Sequence, residues 1–325
     1  MKNLVILCAG SRMVGDVPLY LAQHPDGNII AEKVVTGIKH NNYDRIIYTI
    51  LKESDENYNA EKIILENISR EYPVEVVKLS EKTNGPAETV YKTIKQAEID
   101  GELYIRDCHS YIEIDNIIVG NFVAGLDLSC YEKTIDNLRS KSFIVLNEQK
   151  QILDIVEKRF CSEVISAGLY GFMKTTDFIM AYEKLCDPNY PIKKLYISHI
   201  ISYLIGYAKR VFHCGIISKF EDWSTSSSWM RIQKLFATYF LDLDAMNCIN
   251  IPFASTTIDT LRRASQSGAC FVAFTSKKIN NKEPLLLYLE ENGISVLQIV
   301  DGCTVSKVKA IIDTKDLLDS TVLEV

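Results

Sequence analysis

Leu4-Val5-Ile6-Leu7-Cys8-Ala9-Gly10-Ser11-Arg12 opens the chain with an apolar run that breaks on a glycine and an arginine. A run this apolar reads as a buried strand. A small-residue loop directly after it lets backbone approach a phosphate, and an arginine there can pair with the anion. Any turn between strand and helix uses glycine, so the loop alone fits a plain turn equally well. Working outward, residues 29–37 read as a helix, 45–51 as a strand, 61–71 as a helix, 74–79 as a strand, 87–97 as a helix and 102–106 as a strand. Such alternation is expected of a parallel sheet covered by helices.

Beyond residue 110 the strands take on an antiparallel character, at 121–126, 142–146, 152–156 and 165–172, with helices near 176–185 and 196–207. The short segment 147–151 between two of them suggests a hairpin. After a polar cluster at 224–228 the alternation restarts, with strands at 238–243, 270–274, 295–300 and 310–312 and helices at 257–267 and 283–292. The fold class expected is α/β, a Rossmann-like mixed sheet over 1–232 followed by a smaller α/β domain over 233–325.

Composition removes several function classes. With 36 Lys+Arg against 42 Asp+Glu, net charge −6, the chain has no basic excess to hold a nucleic-acid backbone. No apolar run reaches the ~20 residues of a membrane span, and the N-terminal run is too short for a signal peptide, so no membrane insertion is expected. Nine cysteines, an odd number with no two in C-x-x-C spacing, favour a reducing cytoplasm over a disulfide framework or a zinc ribbon. His24, His40, His199 and His213 show no metal spacing, and no P-loop or nucleophile-elbow motif occurs.

Two further segments add chemistry to the first loop. Thr83-Asn84-Gly85-Pro86-Ala87-Glu88-Thr89 runs into a helix, with Pro86 suited to the first turn and small residues that leave room for a flat ring. Tyr104-Ile105-Arg106-Asp107-Cys108-His109 ends a strand with an acid, at the carboxyl edge where open α/β sheets bind ligands. A second acid stands at Asp222. Asp107 as a helix cap, Lys158 as a solvated strand residue and Arg12 as a partner of Asp16 are the plain structural readings beside these.

Together, AGSR at 9–12, TNGPAETV at 83–90, YIRDCHSYI at 104–112, IVEKRFCSEVISAGLYGF at 155–172 and EDWSTSSSW at 221–229 resemble the nucleotide-sugar pyrophosphorylase type of nucleotidyltransferase, with its glycosyltransferase-A-like fold. The resemblance implies Ala9, Gly10, Ser11 and Arg12 at the phosphates of an NTP and Gly85, Pro86, Ala87 and Glu88 near its base. It implies Glu157, Lys158 and Gly168 beside a sugar or polyol phosphate, with Asp107 and Asp222 holding Mg²⁺. The reaction implied is transfer of NMP with release of pyrophosphate, in surface or capsule polysaccharide assembly. The sequence departs from the pattern where Val17 stands in place of a lysine, where His109 occupies the usual metal-aspartate position, and at Ser224.

In the second domain, Asp242 and Asp244 end an apolar strand two residues apart and therefore project to one face. Two such acids could supply a nucleophile and a general acid, with Mg²⁺ tempering their repulsion. Thr275-Ser276 end the next strand with hydroxyls able to hold a phosphoryl group. This segment resembles a small, cap-less haloacid dehalogenase phosphatase, with Lys307 or Lys309 standing for its lysine and Asp313 or Asp316 for its late acid. Ala245 and Met246 replace the family's glycine and hydroxyl. The competing expectation is a nucleotide-sugar-binding or regulatory protein with both centres impaired, and a homo-oligomer is left open.

Overall fold

A computed structural model of the chain describes residues 1–38, 43–68, 73–114, 120–131, 135–187, 194–234, 238–245, 255–308 and 321–323. The chain groups into two compact units. The first comprises Met1–Arg12, Pro18–Leu21 and Ile29–Ser228. Five of the six residues of its leading strand, Lys2–Leu7, are buried. A strand buried on both faces needs neighbours on both edges. Lys2–Leu7 finds them in Arg45–Leu51 and Glu102–Asp107, both parallel to it, and Val74–Leu79 adds a further parallel strand outside Arg45–Leu51.

Past Glu102–Asp107 the direction changes. Val164–Phe172 pairs with it antiparallel, and the hairpin of Ser142–Leu146 and Ile152–Glu157 lies beyond. Phe122–Asp127 also pairs with Val164–Phe172 and carries His213–Ile216 parallel to itself. The result is the mixed sheet read from the sequence, with the hairpin turn at 147–151 in place.

The helix Pro86–Gln96 shows how local chemistry sets an element. Pro86 opens it, where a missing N–H costs nothing, and Glu88 reaches back to accept from the Asn84 N–H at 2.7 Å. Ala87, Val90 and Ile94 then fall on one buried face against the sheet. A second layer, Thr175–Leu185 and Ile197–Gly206, packs into the same core. There Phe172 meets the rings of Phe178 and Phe212 edge-on at centroid distances of 5.3 and 5.6 Å.

Several short elements escaped the sequence reading. The helix Lys52–Tyr58 buries none of its residues and so shows no apolar period; it stops at Asn59 in the left-handed region. Ser110–Glu113 and Lys219–Asp222 form a separate two-stranded ribbon, whose register sets Asp222 opposite Ser110. That ribbon matters because it carries an acid 115 positions from Asp107 to the end of the strand bearing Asp107.

The second unit contains Trp229–Val325 together with Met13–Val17 and Ala22–Asn28, two segments the sequence placed in the first domain. The Gln23 N–H donates to Ser267 Oγ at 2.7 Å, one reason residues 22–28 group here. Its parallel sheet runs in the order Val296–Asp301, Cys270–Thr275, Thr238–Asp242, Thr321–Leu323, with the helices Ser255–Ser267 and Glu283–Glu291 packed on a core of Leu241, Phe271, Leu261 and Leu289. The strand expected at 310–312 lies outside the described residues, as do His40, Met246, Lys309, Asp313 and Asp316.

Truncating Phe172, 1% exposed beneath two other rings, leaves a cavity in the first unit. Phe172→Ala is expected to cost about 3–5 kcal/mol in a urea unfolding curve. A loss under ~1 kcal/mol would mean that this cluster is not the core that holds the sheet.

Candidate active site

Strands Lys2–Leu7 and Glu102–Asp107 run in register with Leu7 beside Asp107, so the segments that follow them emerge together at one sheet edge. Cys8 and Cys108 come next and are both buried. The Ser11 N–H then donates to the Cys8 carbonyl at 2.9 Å, folding the loop over Gly10. A Cβ on Gly10 would meet nothing within 4 Å. The open space beside Gly10 belongs to a cleft of about 350 Å³ lined by Gly10, Gly85, Pro86, Asp107, His109, Lys141, Glu157, Gly168 and Ser198, among others.

Six of the residues that the sequence singled out, Gly10, Gly85, Pro86, Asp107, Glu157 and Gly168, therefore share one cavity. Others do not reach it. Ala9 and Ala87 are buried in the core beneath. Arg12 is turned to the ribbon, where its Nε and Nη2 donate to the Trp223 carbonyl at 3.2 and 3.1 Å. Glu88 is spent on the Asn84 N–H and on Lys92, 2.9 Å away, so it shapes the loop rather than meeting a ligand. Lys158 is exposed, donates to the Tyr196 hydroxyl and lies 4.2 Å over that ring. Ser11 sits in the loop with its hydroxyl buried and, among the described residues, without a hydrogen-bond partner.

Two glycines are required by close approach. A Cβ on Gly85 would come within 2.5 Å of the Leu195 carbonyl, the group that accepts from the Ala87 N–H at 3.3 Å. Gly168 has φ +78°, and a Cβ there would come within 2.8 Å of Asp107 Oδ2. Asp107 is thus pressed under a backbone that only glycine allows. Burial pushes its carboxyl up to about 6, against the pull of Arg106 and Lys141 and with a push from Glu157.

Arg106, fully buried, lies behind this carboxylate. Its Nη1 donates to Ser110 Oγ, the Ala167 carbonyl and the Gly168 carbonyl at 3.3, 3.3 and 3.1 Å, and its Nη2 to the Ser110 carbonyl. Burial lowers it to about 10. One side chain thereby ties the Asp107-to-Ser110 bend to the Gly168 backbone. The sequence reading passed over Arg106, although an arginine inside an otherwise apolar strand is a signal.

The ribbon brings Asp222 to the same end. Its Oδ1 accepts from the Ser224 N–H at 2.9 Å, and its Oδ2 lies 3.0 Å from the Lys141 ammonium. That ammonium also donates to Ser224 Oγ at 3.2 Å. Burial, reinforced by Lys141 and Arg12, drives the His109 imidazole down to about 4, so it is neutral near neutral pH. Beside Lys141 on the same hairpin, the Glu157 carboxylate accepts from the Ser142 and Ser198 hydroxyls, the latter at 2.6 Å. Lys141, Ser142 and Ser198 went unnoticed because their role appears only when Ser142 pairs with Glu157 across the hairpin.

The four aspartates expected to hold Mg²⁺ divide between the units, Asp107 and Asp222 in the first, Asp242 and Asp244 in the second. Among the described residues, no group of three or more His, Cys, Asp or Glu side chains is placed to hold a metal ion. The pair in the first unit fits Mg²⁺ poorly, because Asp222 already carries a lysine counter-charge at 3.0 Å.

In the second unit, Asp242 is buried and its Oδ1 accepts from the Asp244 and Ala245 N–H groups at 2.9 and 3.2 Å. Asp244 accepts from the Thr275 hydroxyl and the Ser276 N–H, each at 2.6 Å. Burial tends to raise its carboxyl, but these bonds and Lys277 hold it below the usual range. Lys307 is exposed, its ammonium 3.4 Å from the Gly302 carbonyl.

Against known proteins, no family model and no curated sequence matches the chain. Solved structures do. A nucleoside-diphosphate-sugar pyrophosphorylase from Vibrio cholerae RC9 superposes with a TM-score of 0.57 at 17% identity, over 70% of this chain and 98% of its own. The inositol-1-phosphate CTP transferase from T. maritima gives 0.54 at 12% identity, over 70% and 91%. A UDP-glucose pyrophosphorylase complexed with UDP-glucose gives 0.53 at 14% identity, over 71% and 97%. The likeness is one of fold. This chain shares the mixed α/β fold of those nucleotidyltransferases. Separately, no helix among the described residues is long and apolar enough to cross a membrane.

The contact between Gly168 and Asp107 yields a coupling test. Gly168→Ala is expected to cost about 1–3 kcal/mol through strain at positive φ and overlap with the carboxylate. In a double-mutant cycle, Asp107→Ala should return about 1 kcal/mol of it. Strict additivity in urea unfolding would show that the two do not touch.

Proposed function

We propose that the first unit is a nucleotidyltransferase that moves NMP from an NTP to a sugar or polyol phosphate. The observation that carries this reading is the meeting of Gly10, Gly85, Pro86, Asp107, Glu157 and Gly168 around one cleft, although they come from four separate segments of the sequence. Its volume of about 350 Å³ suits a small-molecule site. Phosphates would lie along the open Gly10 backbone, a base against Gly85 and Pro86, and the acceptor's hydroxyls near Glu157, whose Oε2 is oriented by Ser142 and Ser198. An acceptor phosphate oxygen attacks the α-phosphorus in line, a new P–O bond forms, the bond to the β-phosphate oxygen breaks, and pyrophosphate leaves. Fixed donors such as the Lys141 ammonium would stabilise the charge that develops. Fold likeness to two pyrophosphorylases and an inositol-1-phosphate CTP transferase supports the reaction class. The place in surface or capsule polysaccharide assembly, and Mg²⁺ as cofactor, rest on the motif resemblance.

For the second unit we infer a haloacid dehalogenase-like scaffold that has given up hydrolysis. The Thr275 hydroxyl and Ser276 N–H, which a phosphoryl group would need, are bonded to Asp244.

With each NTP, a panel of sugar and polyol phosphates, and assays run with and without Mg²⁺, at least one pair should release pyrophosphate. Asp107→Ala should slow that release by about 10²-fold or more. Silence across the panel, no better than an Asp222→Ala control, would favour a binding or regulatory protein. For the second unit, p-nitrophenyl phosphate hydrolysis should not exceed that of Asp242→Asn; a clear excess would make it a phosphatase.

A further inference from the structure

Lys141 is an unusual residue to find against a carboxylate expected to hold a divalent cation. It stands immediately before the strand Ser142–Leu146, its carbonyl accepts from the Lys158 N–H at 3.1 Å, and its own N–H donates to the Leu138 carbonyl at 3.1 Å. The backbone from which the side chain projects is therefore fixed. Its side chain is 15% exposed and borders the cleft. Asp222, 4% exposed at its side chain, lies 3.0 Å away through Oδ2, an oxygen that accepts no hydrogen bond among the described residues. Ser224 Oγ accepts one donor of the ammonium at 3.2 Å, and the Phe220 ring lies 5.9 Å from it. An ammonium carries three donors. Ser224 takes one and Asp222 Oδ2 stands 3.0 Å away, so at least one donor is left for a ligand in the cleft that Lys141 lines.

The geometry bears on a metal directly. A divalent ion on Asp222 Oδ2 would sit almost in contact with the ammonium, and the repulsion would not be screened in so buried a place.

We propose that Lys141 is the phosphate-facing cation of this centre, a built-in charge held by Asp222 and Ser224 in the position where the fold would otherwise call for a metal ion. Asp222 is then a positioning residue for Lys141. The proposal rests on the cleft being a polyphosphate site, and it predicts that the chain binds a polyphosphate without a divalent ion on Asp222.

Calorimetric titration with tripolyphosphate tests this on the full chain. Wild type should bind within about threefold equally in EDTA and in excess Mg²⁺. In EDTA, Lys141→Gln should bind at least about tenfold more weakly, the size of a lost charge-assisted hydrogen bond. Lys141→Arg should keep most of the affinity, which guards against a folding defect. In paramagnetic resonance with Mn²⁺ alone, wild type should show no Mn²⁺ site that Asp222→Asn removes. Tenfold weaker binding of wild type in EDTA, unchanged binding by Lys141→Gln, or an Asp222-dependent Mn²⁺ site would each overturn the proposal. Tripolyphosphate is not turned over, so these outcomes are independent of pyrophosphate release and separate a failure of Lys141 from a failure of the nucleotidyltransferase reading.

Discussion

The parallel pairing of Lys2–Leu7 with Glu102–Asp107 is the constraint on which the site depends. It joins residues 100 positions apart with Leu7 in register with Asp107, so that a glycine loop and an acid leave the sheet at the same height. A shift of one residue would turn every side chain of one strand to the opposite face. Burial of nearly all of Lys2–Leu7 makes such a shift costly. Arg106 extends the constraint beyond the strand, since its guanidinium binds both the Ser110 bend and the Gly168 backbone.

Around that edge the protein has traded generality for fixed charge. Asp107 is compressed under Gly168 and raised to about 6, His109 is neutral, and Asp222 is answered by a lysine from the hairpin. Each carboxylate would be expensive to bury alone, and the two are answered differently, Asp107 by the charge of the buried Arg106 and Asp222 by an ion pair with Lys141. The short ribbon of Ser110–Glu113 and Lys219–Asp222 makes this possible by returning the late part of the unit to its central strand.

The strands were legible because runs such as Arg-Ile-Ile-Tyr-Thr-Ile-Leu at 45–51 are mostly apolar, and here Ile46 to Leu51 are all buried, as in a doubly covered strand. Lys52–Tyr58 was not, since it buries nothing. For the site, glycines and prolines spoke clearly: Gly10, Gly85, Pro86 and Gly168 all reach the cleft, because backbone geometry is written locally. Long cations misled, because their heads go where tertiary partners are. Arg12 ends on the Trp223 carbonyl and Lys158 on Tyr196, whereas Lys141, without a motif, reaches Asp222. Ser198 orients Glu157 from a helix 41 residues away, a contact that no spacing rule reports.

The most direct measurement is a crystal structure of the protein grown with a non-hydrolysable NTP analogue. The account predicts phosphates beside Gly10 and within hydrogen-bond reach of the Lys141 ammonium, with the base against Gly85 and Pro86. A nucleotide bound elsewhere, or one whose phosphates lie out of reach of the Lys141 ammonium and avoid the Gly10 loop, would contradict it.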